Sequence, residues 1–254
     1  RMLDHATAAR LREMKLNTMA EKLLWQMEQP EIQSLSFEER LGMLVDAEWT
    51  AKHARRIQRY VRQGEFRVPA VAEDVEYAGK RGISKEDFLR LCDGGYLRNK
   101  QNVILSGPSG VGKTYLACAL GNSACRQCVQ ARYLRVPDLL FLLSAAKMDG
   151  SYMKQRKKLA AVPLLILDDW GLRAFSPEDT QEMMELTELR YGRASTVIAG
   201  QLPCDKWYDL FPDPTLADAI LDRLVHNAYK FNITGESMRK TLAERQFEKD
   251  NGPG

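Results

Sequence analysis

Eight consecutive residues carry the strongest chemical signal: Gly107, Pro108, Ser109, Gly110, Val111, Gly112, Lys113 and Thr114. They satisfy the spacing G-x-x-x-x-G-K-[ST], with an apolar run, Val103-Ile104-Leu105, before them and a Gly-poor apolar segment after them. A loop of this kind between a strand and a helix cradles the phosphates of a nucleoside triphosphate. The glycines let backbone N–H groups turn inward where a side chain would collide. The helix that opens near Lys113 adds the positive end of its dipole. Lys113 reaches the terminal phosphates as a mobile point charge, and the Thr114 hydroxyl is placed to ligate magnesium. The competing reading, a Gly-rich turn that binds nothing, accounts poorly for the Lys-Thr pair and its context.

Residues 162–169, V-P-L-L-I-L-D-D, form a continuous apolar run that ends in Asp168 and Asp169. A parallel strand buried on both faces reads this way. In open α/β sheets, ligand chemistry gathers at the carboxyl ends of strands. Asp168 is expected to hold magnesium, and Asp169 to orient or deprotonate the attacking water. Gln201 follows a further strand candidate at 195–199 and is placed to touch the γ-phosphate or the water. An accidental pair of surface acids is the alternative for Asp168-Asp169.

The elements that must position these groups can be read from periodicity and capping. The 254 residues are 44% hydrophobic and 28% charged, enough for one large domain or two small ones. Residues 1–66 read as a helical domain that meets DNA or a partner, and 67–254 as an α/β domain, with a hinge at 63–73 around Gly64 and Pro69. In the helical part, Thr18-Met-Ala-Glu21 and Ser36-Phe-Glu-Glu39 match capping boxes. Met19, Leu23 and Met27 make one apolar stripe, and Phe37, Leu41, Leu44 and Val45 the expected buried side of a long helix. Further on, Ser84 caps a short helix and Asp138 is expected to cap another at 139–146, apolar all round and buried. Ser176-Pro177 opens a third, and a helix at 215–227 carries Asp222-Arg223-Leu224. A last strand at 229–233 leads to Gly235-Glu-Ser-Met-Arg239 and a short amphipathic helix.

The net charge of +3 does not by itself announce a nucleic-acid binder, so local clusters must decide. Lys52, Arg55, Arg56 and Arg59 fall on adjoining helical positions, with Arg62 beyond them. Acids are almost absent from 51–63, which favours contact with a nucleic-acid backbone over a solvated face. Lys154, Arg156, Lys157 and Lys158 form a second basic run beside Tyr152, equally compatible with DNA contact and with a solvated connector. Five cysteines, mostly in apolar surroundings, suit a reducing cytoplasm, and the lone Cys125-Arg-Gln-Cys128 reads as a helix end. No apolar run approaches the roughly 20 residues that span a bilayer, and R-M-L-D-H-A-T lacks the apolar region of a signal peptide.

G-P-S-G-V-G-K-T, L-L-I-L-D-D-W-G, the D-R-L segment at Asp222, the G-E-S-M-R segment at Gly235 and the leader L-R-E-M-K-L-N-T-M-A-E occur in an order and spacing that resembles the IstB/DnaC-like AAA+ ATPases. Within that group the chain is most similar to IstB, the ATPase helper of an insertion-sequence transposase. The resemblance implies an AAA+ P-loop NTPase with a central parallel sheet flanked by helices, preceded by a small all-helical domain. It also implies ATP and Mg2+ as cofactors. By position, Gly107–Thr114 becomes Walker A and Asp168-Asp169 Walker B. Gln201 becomes the first sensor, Arg223 an arginine finger acting on a neighbour, and Arg239 the second sensor. Three departures stand out: Asp169 where Glu is usual, Gln201 where Asn or Thr is usual, and too little chain after Arg239 for a full helical lid.

The implied role is an ATPase that oligomerises as a ring or helix on double-stranded DNA in a bacterial cytoplasm, prepares the target and activates a cognate transposase, away from any membrane. A replicative-helicase loader shares nearly all the motifs. An ATP-binding clamp with little turnover is the rival from another class, because Asp169 is short. A small-molecule kinase has no use for the Arg223 and Arg239 arrangement.

Overall fold

The structure is a computed structural model, which describes residues 2–75, 77 and 82–235. The chain divides into two units, 1–59 and 60–254.

The first unit is helical: α1 (Met2–Glu13), α2 (Asn17–Glu28), α3 (Pro30–Gln33) and most of α4 (Phe37–Gly64), which runs on into the second unit. Ser36 and Glu39 form the expected capping box: the Ser36 N–H donates to the Glu39 carboxylate (2.8 Å) and the Glu39 N–H to Ser36 Oγ (3.2 Å). The other expected box is absent. Leu16, with no side-chain cap, precedes α2, and the Met19 N–H donates instead to the buried Glu48 carboxylate at 2.8 Å. An acid from another helix thus does the work of a local cap. Glu48 and Leu44, one turn apart, are both buried and mark the packed face of α4. Leu44 is 7% exposed, whereas Phe37 is 79% exposed and Leu41 and Val45 face outward too, so the expected buried side is mostly surface.

The second unit is a three-layer α/β structure. Its elements after α4 are α5 (Lys85–Cys92), α6 (Gly95–Arg98), β1 (Asn102–Ser106), α7 (Lys113–Arg126), β2 (Ala131–Arg135), α8 (Val136–Met148), α9 (Tyr152–Ala161), β3 (Leu164–Trp170), α10 (Pro177–Arg190), β4 (Ser195–Gly200), α11 (Pro214–Val225) and β5 (Ala228–Asn232). The five strands are parallel in the order β2-β3-β4-β1-β5. Alternation sends Val103 and Leu105 to the face covered by α5 and α7, and Ile104 to the face covered by α8, α10 and α11. Helix α7 carries the chain from inner strand β1 to edge strand β2, and because the strands are parallel the carboxyl ends of β1, β3 and β4 line up along one rim.

Several expectations shift by packing. The presumed hinge is part of the fold: Ala70 is buried, Val68 joins the core, and Phe66 lies so close to Gly121 that a Cβ there would meet it at 2.4 Å. Ser84 caps α5 and Ser176 caps α10 in a capping box with Asp179, as expected. Asp138 does not cap. It sits in the first turn of α8, which opens three residues earlier than 139 with Pro137 at its start. That helix is not buried all round either, because Phe141 is 76% exposed. The basic run after it is helical, forming α9 rather than a loop.

Candidate functional site

The phosphate-binding loop is held open by close backbone approach. Gly107 has φ +143°, and a Cβ there would lie 2.0 Å from the Ile233 carbonyl oxygen, so only glycine fits beside the end of β5. Gly110 and Gly112 also take positive φ, and Gly112 immediately precedes the first turn of α7. Val111 is buried in the core and anchors the loop. Lys113 is folded back: Nζ donates to the carbonyls of Gly107 (2.7 Å) and Pro108 (2.6 Å), spanning the loop from within.

The two acids arrive on β3. Asp168 is 3% exposed and stands beside the loop, its Oδ2 accepting a hydrogen bond from Thr114 Oγ1 at 2.7 Å. Adjacent residues of a regular strand point to opposite faces. Here a bulge intervenes: Leu167 pairs with Ile198 but Trp170 with Gly200, one extra residue on β3. Asp169 absorbs it at φ +57°, and its N–H donates to Asp168 Oδ1 at 2.8 Å. Both carboxylates therefore line one cavity of about 430 Å³ together with Gln201. Ser109, Gly110, Gly112, Lys113 and Thr114 line it from the other side. A hydroxyl and a carboxylate 2.7 Å apart are hard oxygen donors of the kind magnesium takes.

Three residues that motif reading passed over complete the site. Tyr133, on β2, donates its hydroxyl to Asp168 Oδ2 at 2.7 Å. Arg135, two residues on, donates from Nε to Asp169 Oδ2 at 2.5 Å, and Arg67 lies 3.8 Å from the same oxygen. The Asp169 carboxylate pushes the Arg135 guanidinium above its ordinary range, through hydrogen bonding first and charge second. Burial, with Asp168 as its acceptor, pushes the Tyr133 phenol up, so it stays protonated. The sequence signal was faint: a Tyr and an Arg at alternate positions of the five-residue stretch that forms β2. Their importance depends on β2 lying beside β3, with Arg135 opposite Asp168.

Arg223 does not line this cavity; it borders a separate one of about 200 Å³. Its Nη1 donates to the Ala219 carbonyl at 2.7 Å, and its Nη2 pairs with Glu188 of α10 at 2.5 Å. Arg239 lies outside the described residues, as do the expected terminal helix and the shortened lid.

The basic clusters separate on inspection. Lys52 and Arg55 pair with Glu48, at 3.9 and 3.2 Å, so an acid one turn back partly answers the stripe that acids seemed to avoid. Arg56, Arg59 and Arg62 are exposed. On α9, Lys154, Lys157 and Lys158 are exposed, but Arg156 turns inward to pair with Glu185 and lies over the Tyr152 ring at 5.1 Å. Arg156 fastens α9 to α10 and is withdrawn from the basic surface. No group of His, Cys, Asp and Glu among the described residues could hold a metal on its own, and no helix among them is long and apolar enough to cross a membrane.

Comparison with known proteins agrees with this geometry. The insertion-sequence ATP-binding protein y4pL of Sinorhizobium fredii is 42% identical over 94% of this chain and 98% of its own length. Among solved structures, the replication initiator DnaA bound to AMPPCP and single-stranded DNA superposes with a TM-score of 0.58 at 17% identity, over 73% of this chain and 57% of that one. The DnaC helicase loader superposes at 0.53 and 19%, over 64% of this chain and 97% of that one. These likenesses mark the fold as that of an AAA+ P-loop NTPase. The model of the IstB-like ATP binding proteins matches residues 9–246, and the chain belongs to that family.

Proposed function

We propose that this protein is a magnesium-dependent ATPase that assembles on double-stranded DNA and serves an insertion sequence as the helper of its transposase. The observation that carries the enzymatic part is the Thr114–Asp168 contact at 2.7 Å, which joins the phosphate loop to the acid strand inside one cavity. Backbone N–H groups of the loop and Lys113 hold the phosphates. Thr114 and Asp168 would hold the ion, which would supply positive charge against the phosphates. Asp169 and Gln201 orient the water on the γ side.

Arg223 is outside its own chain's cavity, which supports action on a neighbour's nucleotide. A subunit that needs a neighbour's Arg makes turnover a report of assembly, and head-to-tail contacts of that kind close into rings or extend as helices. Exposed basic groups repeated along such an assembly hold DNA by avidity, independent of sequence. The name of the relative y4pL places it with an insertion sequence, which supports a transposase as partner here.

The test is phosphate release measured with and without duplex DNA across protein concentration, with pull-downs against a transposase and a replicative helicase. Turnover that rises with concentration and DNA, with capture of the transposase, is expected. Capture of the helicase instead would make the protein a loader. A second reading, an ATP-binding clamp with little turnover, draws on the guanidinium that occupies Asp169; flat, minimal turnover in assembled protein would establish it.

A further inference from the structure

Every described hydrogen bond to the Asp168 carboxylate has a distinct source. Oδ1 accepts from the Asp169 N–H, and Oδ2 accepts from both Thr114 Oγ1 and Tyr133 Oη, each at 2.7 Å. A Thr114 hydroxyl that gives a lone pair to a metal keeps its proton for Oδ2, so that oxygen is shared by two donors. Of the two, the phenol is the donor that is not itself assigned to the metal. Tyr133 is suited to fixing that oxygen. Its ring is packed in the core, 6% exposed, on a strand hydrogen-bonded to the strand that carries Asp168. It has little freedom to follow the carboxylate elsewhere, so the carboxylate must stay with it.

We propose that the Tyr133 hydroxyl is a positioning group: it holds Asp168 in the orientation that magnesium bound at Thr114 and Asp168 requires, and so sets how much magnesium is needed to tighten nucleotide binding. The inference rests on the reading of Asp168 as the metal-holding acid. Groups that orient metal ligands from behind change metal affinity when removed.

The experiment is equilibrium binding of a fluorescent ATP analogue to the full chain, titrated with magnesium, for wild type, Tyr133→Phe, Asp168→Asn and the double variant. Phe keeps the ring and removes only the oxygen. The expected result is that Tyr133→Phe raises the magnesium concentration for half-maximal tightening by about tenfold. Nucleotide affinity in chelator stays within twofold, and the Tyr133→Phe effect disappears in the Asp168→Asn background, since the phenol acts through that carboxylate. If Asp168→Asn shifts the magnesium requirement and Tyr133→Phe does not, the positioning role is overturned while the metal reading stands. If Asp168→Asn leaves the requirement unchanged, the metal reading itself fails and the positioning role with it. A Tyr133→Phe chain that no longer folds would assign the hydroxyl to the fold and equally overturn the proposal.

Discussion

Arg135 Nε stands 2.5 Å from Asp169 Oδ2, so the acid proposed to activate water is already bonded to a cation from the neighbouring strand. A carboxylate engaged in a charge-assisted hydrogen bond is a poorer proton acceptor and is less free to swing toward a water. Arg135 is 38% exposed, so the attraction is screened and worth at most about 1 kcal/mol. Arg135→Gln should therefore raise phosphate release in the absence of DNA by about two- to fivefold. A fall in turnover would mean that Arg135 supports Asp169 rather than restrains it.

Lys113 is bonded to its own loop carbonyls, inside the loop proposed to receive the phosphates. Lys113→Ala removes a charged donor to the nucleotide, a loss of about 1.5–3 kcal/mol, or roughly ten- to a hundredfold in affinity. Calorimetric titration with ATP measures it. Unchanged affinity would remove the cavity from consideration as the nucleotide site.

Arg223 and Glu188 are 2.5 Å apart on adjoining helices, away from the cavity of their own chain. Arg223→Ala should leave ATP binding intact and cut turnover by about 10³ or more. Mixing it with Asp169→Asn subunits should restore part of the activity, because each partner supplies what the other lacks. A mixture as inactive as its parts would exclude action between subunits.

Lys157 and Lys158 face outward on α9, while Arg156 is committed to Glu185. Reversing both lysines to Glu should weaken DNA binding at every sequence and lower the salt dependence of log K by about two contacts' worth. Arg156→Ala should instead lower the melting temperature. Filter binding over a salt series, with a thermal melt, separates the two.

Arg190 is 3% exposed and donates to the carbonyls of Leu159, Val162 and Ser195 and to Thr196 Oγ1, pinning the end of α10 to the entries of β3 and β4. Burial pushes its guanidinium down, to about 9. Arg190→Met leaves those acceptors without a donor and should destabilise the second unit by about 3 kcal/mol. Chemical denaturation checks it, and a change under about 0.5 kcal/mol, the range of surface substitutions, would mean that water replaces the side chain.

What the sequence by itself determined is whatever local chemistry dictates. The phosphate loop, the buried strand ending in Asp168, and the caps at Ser36, Ser84 and Ser176 each depend on residues within a few positions of one another. What only the tertiary structure decided is who meets whom. Thr18 looked like a cap, but Glu48 reaches Met19 from another helix. Arg156 read as part of a basic run open to DNA or to solvent until α10 supplied Glu185. Asp168 and Asp169 share a cavity because a bulge reverses the alternation that adjacent strand residues otherwise obey. Tyr133 and Arg135 act on those acids because edge strand β2 comes to lie beside β3 in a register that sets Arg135 opposite Asp168. Periodicity and capping are short-range and are written into neighbouring residues. Strand neighbours and their register are set by packing between segments some thirty residues apart, and the identity of a side chain's partner follows from that packing alone.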